Sequence, residues 1–312
     1  MMQFPDGTAT HWTAGKVRHP GLLAAAASAT MLLLAACGGG GGGGDTAPGA
    51  PTQVPVTLGT PGPGDAQNHL PLAVGHSWQF AGTITEGSST TPTSTTVTIP
   101  STRDVAGTTA LVLRESVVAA GQTEVIEEAL VKDANGVAVL AAADDVLSKA
   151  LVPYWELRFP LTPGTQFVQL DKTGLDFGQD LDGDGRNEQV SLYSAVQVVG
   201  VESVTVPAGT FPTAVHVRRV LELTVRRSSD GLAFDATETG DAWFAPSVGW
   251  VQRKSELVGM GERLTSSEQL TAYTVGSLGQ AGVSRPAALT TEAVRSAEPA
   301  WRRLIGAHAS AP

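Results

Sequence analysis

The residues best suited to chemistry lie in Asp180-Leu181-Asp182-Gly183-Asp184-Gly185-Arg186-Asn187-Glu188. Alternate positions deliver carboxylates from Asp180, Asp182 and Asp184. Gly185 permits a sharp reversal that turns the Arg186 carbonyl inward, and Glu188 adds an oxygen directly or through water. Hard oxygen donors in so tight an arc suit calcium, which takes about six to eight oxygen ligands. The expected role of calcium here is structural, pinning a long loop. Other constellations are weaker. Gly75-His76-Ser77-Trp78-Gln79 has the outline of a hydrolase nucleophile turn, but Gln79 replaces the glycine that lets the backbone turn into a helix. His216 has no acid or cysteine at zinc-ligand spacing. Glu124, Glu127 and Glu128 are expected on a solvated strand face. Gly38–Gly44 lacks the strand, helix and Lys-Ser/Thr pair of a phosphate loop.

Cys37 is the single cysteine of the chain and follows Leu34-Ala35-Ala36. Lys16 and Arg18 precede an apolar run from Leu22 to Leu34 that is too short to span a bilayer. Small residues before the cysteine complete a lipobox, the recognition sequence for cleavage and acylation in bacterial lipoproteins. Acyl chains on the Cys37 sulfur and on the new amino terminus, palmitate among them, would supply the two or more lipids that stable anchoring requires. Residues 1–36 are therefore expected to be a signal peptide. Residues 37–70, rich in Gly, Pro and Thr, form the expected tether. Gly38 lacks the aspartate that favours inner-membrane retention in enterobacteria, which points to the outer membrane, facing the periplasm. The Asp loop, for its part, resembles calcium loops of the EF-hand, dockerin and integrin type. It departs from the EF-hand where Ser191 replaces the terminal glutamate.

The chain carries a net charge of −10, and the first 36 residues carry one net positive charge. The remainder is thus acidic, which disfavours nucleic acid, since phosphate backbones are held largely by Lys and Arg. It also disfavours adsorption to anionic lipid, leaving acyl chains as the expected membrane contact.

From Ser77 onward the hydrophobic period is two. Val215, Val217, Leu221, Leu223 and Val225 share one face. His216, Arg218, Glu222, Thr224 and Arg226 share the other, and Arg219-Val220 interrupts the pattern as a bulge would. Further strand-like runs are punctuated by turn-formers such as Asn135-Gly136 and Ser229-Asp230-Gly231. The expected fold is all-β and mainly antiparallel, a curled sheet, half-barrel or barrel spanning 71–278. It has at most one short helix, at Ala142–Leu151. Residues 279–312, rich in Ala and Arg, are expected to be a poorly ordered tail.

Three landmarks occur in order: Pro71-Leu72-Ala73-Val74-Gly75-His76-Ser77-Trp78, Val206-Pro207-Ala208-Gly209-Thr210-Phe211, and Ala242 to Val251 with its Trp243-Phe244-Ala245-Pro246 start. Together they resemble a group of bacterial envelope lipoproteins with a PLxVGxxW … VPAGTF … W[FY]APxVGxV pattern, similar in architecture to LolA-like proteins. The resemblance implies a curved sheet able to wrap an apolar ligand, and an envelope address; it implies no catalytic residue. Trp78, Trp155, Phe159, Trp243 and Trp250 are the aromatic candidates for lining such a site. The leading expectation is a non-catalytic, lipid-anchored protein that binds an apolar ligand or an envelope protein partner. The alternatives are a calcium-stabilised structural or adhesion module without a cavity, and an unrecognised hydrolase.

Overall fold

A computed structural model describes residues 52–59 and 62–276. Residues 1–36, Cys37 and the tail 279–312 lie outside them. Among the described residues, no helix is long and apolar enough to cross a membrane. Twelve antiparallel strands form one sheet: β1 Ser77–Glu86, β2 Ser89–Val105, β3 Thr108–Ala119, β4 Gln122–Lys132, β5 Gly136–Ala141, β6 Tyr154–Arg158, β7 Gln166–Asp176, β8 Gln189–Val206, β9 Gly209–Arg226, β10 Ala233–Ala245, β11 Gly249–Gly259 and β12 Glu262–Thr274. Their order is β6-β5-β4-β3-β2-β1-β12-β11-β10-β9-β8-β7, two six-strand meanders joined where β1 pairs with β12. The sheet curls into a nearly closed barrel, as the period-two pattern predicts.

Local chemistry explains the hairpins. Ala106-Gly107, Ala120-Gly121 and Met260-Gly261 each place two successive residues at positive φ, the geometry whose twist matches paired strands. Asn135-Gly136 does turn β4 into β5, with Asp133 N donating to Gly136 O at 3.0 Å. The helix is shorter than the sequence suggests. α1 spans Val146–Leu151 and begins at Asp145, whose side chain accepts from Ser148 N, so residues 142–145 stay outside it.

The edge strands β6 and β7 are consecutive in sequence and face one another across the seam. A side chain bridges it: Gln169 Nε2 donates to Trp155 O at 3.0 Å. Residues 52–58, from the predicted tether, lie along the same seam. Val54 N donates to Val168 O, and Trp155 Nε1 donates to Pro55 O at 3.0 Å. Edge strands expose unpaired backbone groups, so this covering segment removes an aggregation hazard.

Inside the barrel, one apolar cluster gathers Trp78, Phe80, Val97, Leu113, Leu130, Val217, Phe244 and Leu270. A second gathers Leu147, Phe177, Leu192, Leu221, Leu223, Ala236 and Leu257. Along β9 the inward residues run Val217, Arg219, Leu221; along β11 they run Val251, Arg253, Ser255, Leu257. A polar layer therefore separates the two clusters.

The three landmark segments converge near the first cluster. Trp78 Nε1 donates to Val248 O at 2.6 Å and meets Trp250 edge to face at 5.3 Å. The pairing of β11 with β12 ends at Gln252↔Gln269, and the next carbonyl, Leu270 O, accepts from Ala208 N at the tip of the β8–β9 hairpin. Pro207-Ala208-Gly209 thus docks a hairpin tip where two strands separate, and Phe211 follows it against Tyr273.

Candidate functional site: a charged layer inside the barrel

The Arg219-Val220 step is not a bulge. β9 pairs with β10 in unbroken register from Arg226 to Val215, with Arg219 opposite Gly240. Strict alternation puts Arg219 on the inner face with Val217 and Leu221, at 5% exposure. Its Nε and Nη2 make no hydrogen bond among the described residues. A charged residue at an inward position looks like a broken pattern only when the inside is assumed to be apolar.

Arg219 faces carboxyls from the neighbouring strand β10 and from the distant strands β4 and β6. Burial raises the Glu128 pKa to about 8, with Glu156 and Glu115 adding repulsion and Arg219 opposing both. Burial likewise raises Glu238 to about 7 against the pull of Arg219. It raises Glu156 too, where Arg219 and a hydrogen bond from Gln169 pull the other way. Tyr154, hydrogen-bonded to Glu128, has its pKa raised well above normal by burial and these carboxyls. Glu128, Tyr154, Glu156 and Glu238 are nonetheless only half-buried by accessible surface. These side chains keep part of their surface in contact with solvent. Glu128 is not on the solvated outer face expected for it. Glu127, the adjacent residue on the strand, pairs with Arg114 at 3.7 Å.

Next to this group lies a second, tightly paired one. Arg253 Nη2 donates to Glu115 Oε1 at 2.9 Å and to Glu268 Oε2 at 2.5 Å, while the Thr95 hydroxyl donates to Glu268. Burial opposes charge on Arg253, but the two carboxylates outweigh it and raise its pKa. The guanidinium also lies 4.6 Å from the centre of the Phe80 ring. Excess carboxyl and two arginines thus define the polar layer.

The aromatic candidates occupy other places. Trp78 and Trp250 are packed in the first cluster, and Trp155 is buried against the covering segment. Trp243 stacks on His216 at 4.4 Å, and its indole donates to Glu202 at 2.5 Å. Phe159 lines a groove of about 400 Å³ beside the seam, with Val54, Leu157, Leu161, Phe167 and Val198. His216 gains acids that sequence spacing does not reveal: Asp241 Oδ1 at 2.5 Å from Nε2 and Glu202 at 3.6 Å from Nδ1. Asp241 also accepts from Arg218 Nε at 2.8 Å; despite burial, these bonds hold its pKa low. Adjacent strands, not adjacent positions, bring these groups together.

The Asp loop lies between β7 and β8. Asp180, Asp182 and Glu188 bring carboxylate oxygens within 4.8 Å of one another. Asp184 is not in that group; it is exposed, and its Oδ1 accepts from Arg186 N at 2.8 Å. Asp180 accepts from Gly183 N at 2.7 Å and Gly185 N at 2.9 Å, so the loop wraps around its carboxylate.

No protein-family model matches this chain, and no curated protein sequence does. Two solved structures are similar to it. One is a Bacteroides fragilis protein inferred to be exported, with a YmcC-like fold; it is 14% identical with a TM-score of 0.33, covering 65% of this chain and 97% of that one. The other, from Parabacteroides distasonis, is inferred to be a lipoprotein; it is 14% identical with a TM-score of 0.33, covering 66% of this chain and 98% of that one. No residue role follows from either similarity.

Proposed function

We propose that this chain is a non-catalytic, lipid-anchored protein of the bacterial cell envelope whose barrel lumen binds a small polar ligand at Arg219. Anchoring is through acyl chains on Cys37, and the outer membrane facing the periplasm is the assigned address. The observation that carries the binding reading is the state of Arg219. It is buried, two of its nitrogens lack hydrogen-bond partners among the described residues, and carboxyls that can donate when protonated lie near it. A buried donor left unpaired costs about 1–3 kcal/mol, so a ligand that satisfies it gains correspondingly. A group such as a carboxylate or phosphate would accept from the guanidinium, and protonated Glu128 and Glu238 would donate to its remaining oxygens. This reading takes a polar ligand in place of an apolar one, because the unpartnered guanidinium lies in the lumen while Trp78, Trp243 and Trp250 belong to the packed first cluster.

The test has two arms. Cys37→Ser should release the protein from the membrane fraction. A low-mass extract of the cell envelope should raise the Tm of the wild-type protein and leave Arg219→Met unmoved. Equal shifts in both proteins, or none in either, would contradict the lumen site.

A further inference from the structure

The loop that joins β7 to β8 contains a carboxylate in a position a turn does not require. Glu188 is fully buried, at 0% exposure. Its Oε2 accepts from Leu181 N at 2.9 Å, but Oε1 has no hydrogen-bond partner among the described residues. Acidic turns normally keep their carboxylates in water, where an unpaired oxygen costs nothing. A buried carboxylate oxygen without a partner is expensive, and the usual remedy is a cation.

The local counter-charge is insufficient. Arg227 Nε is 3.9 Å from Asp182, and the same guanidinium pairs closely with Asp230. One arginine is thus shared among Asp182, Asp230 and, at longer range, Glu188. Asp180 brings further negative charge with no arginine or lysine bonded to it among the described residues.

We infer that Asp180, Asp182 and Glu188 bind one calcium ion, and that the ion fastens the β7–β8 loop to the β9–β10 turn. The donor set is all oxygen, with no histidine or cysteine, which excludes the softer metals. Three carboxylates in an irregular loop fit the adaptable shell of calcium better than the strict octahedron of magnesium, which gives up its waters reluctantly. Loop carbonyls and water would complete the shell. The fastening follows from Asp182, whose Oδ2 also accepts from Ser229 N at 3.2 Å and from Ser229 Oγ at 2.6 Å. Ordering Asp182 around an ion therefore orders Ser229 in the β9–β10 turn. Beside the loop, Phe177 packs with Leu147 of α1 in the second apolar cluster. Calcium would thus hold together the elements that cover this end of the barrel. The inference is independent of the ligand proposed at Arg219.

The test is calorimetric titration of the mature lipidated chain in detergent with calcium and, separately, magnesium. Thermal unfolding and amide exchange follow on the same samples. Calcium should bind with a stoichiometry of one and raise Tm saturably by about 3 °C or more at millimolar concentration. Exchange should slow in 180–188 and also around Ser229. Asp180→Asn, at an exposed position, should keep its metal-free circular dichroism and lose at least about tenfold in affinity; Glu188→Gln should lose more. Absence of calcium binding to the wild type, or unchanged affinity in folded Asp180→Asn, would overturn the site. Equal affinity for magnesium would overturn its assignment to calcium. Protection confined to 180–188 would overturn the fastening.

Discussion

Arg253 on β11 and Glu115 on β3 meet at 2.9 Å, although three strands separate them in the sheet. Side chains can span that interval only across the lumen, so this bond, with Glu268 beside it, ties opposite walls together. Removing the cation would leave two buried carboxylates without its balancing positive charge. Arg253→Met should therefore cost about 3–5 kcal/mol in urea unfolding. Adding Glu115→Gln and Glu268→Gln to that variant should recover more than half of the loss.

The lumen carboxyls make stability depend on pH. Glu128 titrates at about 8 and Glu238 at about 7 in the folded protein, against a usual 4.5. Between those limits the folded state binds more protons than the unfolded one. Stability therefore falls as pH rises from about 4.5 through about 8. Glu128→Gln, which needs no proton to stay neutral, should flatten that slope in denaturation series across the range. A stability that rises over the same interval would contradict the burial of these groups.

Gly249 adjoins the carbonyl that receives the Trp78 indole, and its φ is +97°. A Cβ there would sit 3.0 Å from Trp78 Nε1. Strain and crowding together make Gly249→Ala destabilising by about 1–3 kcal/mol. A lower Tm should be accompanied by a changed tryptophan emission, because Trp78 and Trp250 pack at this point.

The covering segment at the seam predicts a local effect. Val54→Pro removes the N–H that donates to Val168 O and should cost about 0.5–1.5 kcal/mol. Amide exchange should accelerate in β6 and β7 and stay unchanged in β1 and β12.

Much of the fold is legible in the sequence, because antiparallel pairing rests on alternation and local turns. Asn135-Gly136 marks its hairpin, and Val215 to Val225 marks a strand. β6 is hard to read from sequence because Tyr154–Arg158 is short, follows a proline, and mixes Glu156 and Arg158 with aromatics. The polar layer was hidden for a related reason. Alternation says which residues share a face, but Arg219 and Glu128 look solvent-facing until curvature places them inside. Their proximity depends on β9 and β4 standing on opposite walls, which local sequence does not encode. The Asp loop was legible as a group of oxygens. That Glu188 and not Asp184 completes it depends on the burial of Glu188 beneath the loop.

The most direct measurement is native mass spectrometry of the mature protein gently extracted from its own membranes, beside Arg219→Met prepared identically. The account predicts an acylated wild-type chain carrying a small bound mass that is absent from the folded variant. A wild-type chain with no added mass beyond acyl groups and calcium, or the same small mass on both proteins, would contradict a ligand site at Arg219.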